Sequence, residues 1–202
     1  MKALTQKSLF ARFSNILGAI RAVYYCSYTG PGKCLSPTRY VPRGYRVANA
    51  DEMVARRIAQ ELKIPTENAI QIAAPAMAAL IVGPCWLIPV PASNASISAN
   101  LTLARAIAQF VTTARVICAV ARTRPVESAY RRKLRGLPGL AVEEHAIVRV
   151  AGPLQPVPAY FVDNVITTGT TLAACRRALG WGVGLAYADA STFYNTIFQR
   201  SE

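Results

Sequence analysis

Histidine, acidic residues and paired cysteine motifs are scarce in this chain of 202 residues. His145 is the only histidine, so no histidine-containing metal cluster can form, and a structural place at the entrance to a strand suits it better than acid–base work. Cys26, Cys34, Cys85, Cys118 and Cys175 are irregularly spaced with no Cys-x-x-Cys pair, which argues against a zinc ribbon. Cys118 and Cys175 fall inside apolar patterns and are expected in the core, and a reducing, cytoplasmic compartment suits the odd count. Ten acids face 23 lysines and arginines, and none precedes Asp51. The resulting net charge of +13 implies polyanionic partners: phosphates, nucleic acid or an anionic surface. Unbroken apolar runs are lacking too. The uncharged stretch 69–92 is divided by Gln71, Pro75, Pro84, Pro89 and Pro91, so it reads as a helix followed by a buried strand rather than a membrane span. Near the N-terminus, Arg12 and Arg21 enclose only residues 13–20, too little for a secretory core. There is no internal repeat or low-complexity tract.

What is present is an apolar content of 52%, sufficient for one domain with an extension. Residues 1–48 read as a basic extension and 49–202 as the domain. In the extension, residues 8–22 have helical spacing, with Leu9, Phe13, Ile16, Leu17 and Ile20 on one face. Tyr24, Tyr25, Tyr28, Tyr40 and Tyr45 then alternate with Lys33, Arg39, Arg43 and Arg46. Such a segment can stack bases and hold phosphates, which leaves nucleic acid open as a partner, or it can be a loop pinned to the domain surface.

Within the domain, Asp51 is expected to cap a helix carrying Val54, Ile58 and Leu62, and a second helix should run from Thr66 to a break at Pro75. Trp86–Val90 reads as a central strand, leading into a loop through Pro91, Ala92, Ser93 and Asn94. A helix at 101–111 follows, with Leu103, Ile107, Phe110 and Val111 on one face, and then a strand at 114–120. Further strands are expected at 146–150, 159–162 and 183–188, with a helix at 172–179 closed by Gly180. Alternating strands and helices predict an α/β fold, a Rossmann-like, mostly parallel sheet flanked by helices. Residues 122–144 break the pattern. Within 122–135, Arg122, Arg124, Arg131, Arg132, Lys133 and Arg135 are opposed by Glu127 alone, which suits a solvated hairpin or a mobile lid over an anionic ligand.

The sharpest signal is Ala159–Thr171. An apolar strand ends in Asp163 and Asn164, a turn of Thr167, Thr168, Gly169, Thr170 and Thr171 follows, and a helix begins. Free backbone N–H groups and a helix dipole would both face that turn, which makes an anion site. These thirteen positions resemble the phosphoribosyl-diphosphate (PRPP) signature of type I phosphoribosyltransferases, with Asn164 in place of the second acid. The Pro89-Val90-Pro91 entry to the first loop is most similar to the ComF-like branch, and the resemblance covers residues 50–192.

The resemblance implies a phosphoribosyltransferase fold with a flexible hood at about 122–144. It implies Mg²⁺-dependent transfer of a phosphoribosyl group from PRPP to a nitrogenous base, with release of diphosphate. Asp163 and Asn164 would be the catalytic pair at the ribose, and Thr167–Thr171 would hold the 5′-phosphate. Ala92, Ser93 and Asn94 would offer backbone donors to diphosphate, with Arg131, Arg132, Lys133 and Arg135 as hood cations. Asp189 and Phe193 are the candidates for the base pocket. Mg²⁺ would arrive through PRPP, with Asp163 as a candidate to share it. Dimers are common in such a family. The competing expectation is a ComF-like protein that binds PRPP or a nucleotide, or handles nucleic acid, without efficient turnover.

Overall fold

The computed structural model describes residues 34–39, 41–42 and 48–191, with nothing said of the Tyr130 side chain. Phe193, Cys26, the expected helix at 8–22 and most of the tyrosine-rich segment lie outside the described residues. The elements run β1 (Cys34–Leu35), β2 (Thr38–Arg39), α1 (Ala50–Glu61), α2 (Glu67–Ala78), β3 (Cys85–Pro89), α3 (Ser98–Phe110), β4 (Ala114–Val116), β5 (Val120–Arg122), α4 (Ala129–Leu134), a 3₁₀ turn (Glu143–His145), β6 (Ile147–Arg149), β7 (Ala159–Ile166), α5 (Thr170–Leu179) and β8 (Val183–Asp189).

The protein is α/β. Its main sheet has the order β1-β8-β7-β3-β4, with β2 also beside β8, and every pairing in it is parallel. Residues 34–39, read as part of an extension, therefore form an edge of the sheet. The central strands β3, β7 and β8 are continuous apolar runs because helices cover both of their faces. Side chains alternate across the sheet and divide the core in two. Leu87, Tyr160, Val162, Leu185 and Tyr187 pack with Ile58, Leu62, Met77, Leu103 and Ile107 of the α1–α3 layer. Ile88, Phe161 and Ala186 pack with Leu172, Cys175 and Leu179 of α5.

Several expectations are corrected. The strand at 114–120 is two strands, and β5 leaves the main sheet to pair antiparallel with β6. The 146–150 strand thus belongs to a separate ribbon, and Cys118, in the link between β4 and β5, is exposed. The cap of α1 is Asn49, which forms a reciprocal capping box with Glu52, not Asp51. Pro75 lies inside α2 instead of breaking it, and the helix continues to Ala78. Phe110 is exposed at the end of α3. Among the described residues, no helix is long and apolar enough to cross a membrane.

Candidate functional site

The site arises where strands of unequal length end. β3 pairs with β7 only as far as Pro89 opposite Val162, and Val90 N then donates to Val162 O at 3.0 Å before the chain turns away. β7 runs on for four more residues, Asp163 to Ile166, held on its other side by β8. The space that β3 vacates beside Asp163 is a cleft of about 630 Å³ at the carboxyl end of the sheet, the end where open α/β sheets bind ligands. Its lining includes Ala92, Ser93 and Asn94, Arg131, Asp163 and Asn164, and Thr167, Thr168, Thr170 and Thr171. Segments far apart in sequence and read as one site thus meet around one cavity.

Two helices, α3 and α5, begin at this cavity. The turn after β7 places Gly169 at φ +76°, a left-handed conformation suited to glycine, so that α5 starts directly at the cleft. Neither α5 nor α3 is capped by its N-cap side chain or has an acid in its first turn, although Ser98 N at the start of α3 donates to Ser96 Oγ at 3.3 Å. The contrast with α1 and α2 is chemical, since those are capped by Asn49 and Thr66 and carry Asp51, Glu52 and Glu67 in their first turns. Uncapped amides and two positive dipole ends favour negative charge in the cleft. Within the threonine turn, the Thr168 and Thr170 hydroxyls lie 2.9 Å apart, and His145 Nε2 lies 3.0 Å from Thr170 Oγ1.

Asp163 and Asn164 are consecutive on a strand, so they leave it on opposite faces. Asp163 Oδ1 accepts from Asn164 N at 2.8 Å and from Asn100 Nδ2 at 3.2 Å. Burial raises the pKa of Asp163 to about 6, opposed by those two donors and by the nearby charges of Arg122 and Lys63. Asn164 turns toward α1, where its Nδ2 donates to Ala59 O at 2.9 Å. That carbonyl belongs to the last turn of α1, where Lys63 N donates to Gln60 O instead of continuing the helical ladder. Asn164 thus satisfies one of the carbonyls that a helix end leaves without an internal partner.

Three residues important to the site escaped the sequence reading. Arg122, assigned to the basic insertion, is buried, and burial lowers its pKa from the usual value. Its guanidinium donates to Ala92 O at 3.0 Å, to Pro91 O at 3.3 Å and to His145 O, joining the first loop to the end of the insertion. Asn100 of α3 bridges Val90 O at 2.8 Å and Asp163. Lys63, just past α1, lines the cleft from the Asp163 side. An arginine directly after an apolar strand was the available signal for the first, whereas Asn100 and Lys63 carry none that spacing could reveal.

Other predicted residues stand apart from the lining. Arg132 Nε donates to Pro138 O at 2.7 Å, and Arg135 pairs with Glu127 at 3.1 Å, so both are engaged within the insertion. Lys133 likewise sits on the exposed short helix α4 outside the cleft lining. Asp189 is buried at the end of β8 and accepts from Ser191 N at 2.7 Å. In the first loop, Ala92 N donates to Ser96 O at 2.8 Å, so that amide closes the turn and does not face a ligand. Asn94 Oδ1 accepts from Ser96 N at 3.0 Å, and the amides of Ser93 and Asn94 have no partner among the described residues.

Comparison of the chain with protein-family models, with curated proteins and with solved structures returned no match. What fold and site define by themselves is an α/β protein with a parallel sheet. Its cleft joins one half-buried carboxylate, two helix N-termini with no acid in their first turns and a hydroxyl-rich turn.

Proposed function

We propose that the cleft binds PRPP with Mg²⁺ and transfers its phosphoribosyl group to a nitrogenous acceptor, releasing diphosphate. The observation that carries this reading is the meeting of Asp163, the Thr167–Thr171 turn, the Ser93–Asn94 loop and Arg131 in one lining. A phosphate monoester fits the threonine turn, where hydroxyls and the amides at the start of α5 supply donors. Asp163, fixed by Asn100 and the Asn164 amide, suits a ribose diol at the centre of the cleft. On the far side, the start of α3 and the amides of Ser93 and Asn94 suit the diphosphate. Arg131 and Lys63 add positive charge where the leaving group develops negative charge.

Among the described residues, no three His, Cys, Asp or Glu side chains gather as a metal nest. The cleft does offer the Asp163 carboxylate, while Glu127 is paired with Arg135, which fits an ion that arrives on substrate phosphates and takes only one or two protein ligands. When bound, Mg²⁺ would neutralise charge on the departing diphosphate. Ionised Asp163 would stabilise positive charge developing at the ribose, and above pH 6 it holds that charge.

A second reading, a protein that holds PRPP without turning it over, is favoured by Asn164. Its amide is committed to α1, which leaves one carboxylate for the sugar. A thermal melt with PRPP and Mg²⁺, followed by a diphosphate assay across a panel of nucleobases, separates the readings. A stabilising shift with diphosphate release supports the transferase, and a shift without release supports the holding protein. No shift at all overturns both.

A further inference from the structure

Three consecutive carbonyls of the first loop are held by the start of the basic insertion. Arg122 Nη2 donates to Pro91 O at 3.3 Å, Arg122 Nε donates to Ala92 O at 3.0 Å, and Val126 N donates to Ser93 O at 2.8 Å. Among the described residues every peptide bond is trans, and a trans peptide is planar, with its N–H directed opposite to its C=O. The Ser93 amide therefore points away from the Arg122 guanidinium, and the Asn94 amide points away from Val126. Ala92 N, aimed by the first of these carbonyls, is spent on Ser96 O. The amides of Ser93 and Asn94 are not spent on the protein, and both residues line the cleft. Arg122 itself is unusual. It is only 7% exposed, yet none of the ion pairs among the described residues includes it. A buried arginine ordinarily has a carboxylate partner. Here Asp163 acts on it only from beyond ion-pair distance, and the guanidinium is solvated by the carbonyls of Pro91, Ala92 and His145. A cation at a carbonyl oxygen draws electrons along the peptide and makes the N–H at its other end a stronger donor.

We propose that Arg122 is a positioning residue for diphosphate. From the carbonyl side of the Ala92–Ser93 peptide it aims and polarises the Ser93 amide, while Val126 fixes the Asn94 amide next to it, so that both N–H groups donate to the diphosphate oxygens. The inference rests on the reading of the first loop as the diphosphate subsite, and it concerns what makes that loop a donor. It also gives the buried charge a use. A neutral side chain could fill the space, but it would not strengthen the amide on the far side of the peptide. Arg122 does not touch the ligand in this role; it acts through the loop backbone.

The test titrates inorganic diphosphate with Mg²⁺ into the ¹⁵N-labelled full-length protein. At saturation the Ser93 and Asn94 amide protons of the wild type should move downfield and gain protection from exchange. Unmoved Ser93 and Asn94 resonances overturn the proposal, as does no binding at all. Two variants then isolate the charge, since Arg122→Lys keeps it and Arg122→Gln keeps only a neutral donor. By calorimetry Gln should lose about 10–100-fold in diphosphate affinity, the scale of a hydrogen bond to a charged group, and Lys about 3–10-fold. Affinity for ribose 5-phosphate should stay within about 3-fold of the wild type in both. In ligand-free spectra the Ser93 amide proton of Gln should lie upfield of its wild-type position. Equal losses for both ligands would make Arg122 a brace of the whole cleft and overturn the proposal, as would a Gln variant with wild-type diphosphate affinity. Should Gln not fold, the Lys variant and the wild-type titration still decide. The two readings fail separately. Diphosphate binding at these amides that depends on residue 122, in a protein that releases no diphosphate from PRPP, would sink the transferase and sustain this role for Arg122. Diphosphate release from PRPP by Arg122→Gln, with wild-type diphosphate affinity, would do the reverse.

Discussion

Substituting Asn164→Asp restores the acid that the resembling family carries, yet the structure predicts that it harms the fold. Asn164 Nδ2 donates to Ala59 O at 2.9 Å, and a carboxylate in its place sets oxygen against oxygen. The lost donor and the stranded carbonyl cost about 1–3 kcal/mol. The new charge also faces the negative end of the α1 dipole and sits next to Asp163, together adding roughly 1 kcal/mol. A total of about 2–4 kcal/mol lowers Tm by roughly 5–15 °C in a chain of this size. Asn164→Ala, which removes the donor without adding charge, should cost about 1–2 kcal/mol. The assay is a ligand-free thermal melt of all three proteins at pH 8 and pH 5. The Asp deficit should shrink at pH 5, where a protonated carboxyl can again donate to Ala59 O. An Asp variant that melts with the wild type at pH 8, or an Ala variant that loses as much as Asp, refutes the role given to Asn164. Raised diphosphate release by a stable Asp variant would show that position to be half of a catalytic acid pair.

Other perturbations test the rest of the site. Asp163 has a folded pKa of about 6, above that of an unfolded carboxyl, so its ionisation opposes folding; the penalty is absent below about pH 4 and complete above pH 6. Asp163→Asn should therefore be more stable than the wild type at pH 8 by about 3 kcal/mol, with little difference at pH 4, in denaturant melts, while losing PRPP affinity. Arg122→Met leaves three carbonyls without their donor and should cost about 3–5 kcal/mol, with loss of diphosphate binding measured by calorimetry. Gly184→Ala would bring a Cβ within 2.6 Å of both Cys34 Sγ and Leu172 Cδ1, wedging β1 and α5 away from β8. It should cost about 1–3 kcal/mol in a chemical melt. Lys63→Ala should leave the fold intact and weaken diphosphate binding about 3–10-fold, the effect of one exposed cation on an anion.

Much of the layout was legible because its signals are local. Apolar runs of strand length and helical spacing mark β3, β7, β8, α3 and α5, since a strand covered on both faces needs continuous apolar residues. The threonine turn could be placed because strand, turn and helix follow one another without a gap. Failures came where a segment's partner is distant. Nothing local shows that Cys34–Arg39 will pair with β8, or that β5 will leave the main sheet for β6. Arg122 read as a surface cation because three backbone carbonyls that hold it come from segments 23 to 31 residues away. Pro75 read as a break because a lone residue does not reveal that neighbouring packing holds the helix through it.

The sequence by itself determined an α/β chain with a hydroxyl-rich, glycine-containing turn after one central strand, because periodicity, glycine and hydroxyl placement act over a few residues. Tertiary structure decided what the turn faces. The early end of β3 opened the cleft beside Asp163, and folding brought the first loop, Arg131 and Lys63 to its walls. The two-residue period of β7 sent Asp163 into the cleft, within reach of Asn100, and Asn164 to the end of α1. Which of two adjacent polar residues meets Asn100 and which meets a helix end depends on the neighbours across the sheet, and only the assembled fold supplies them.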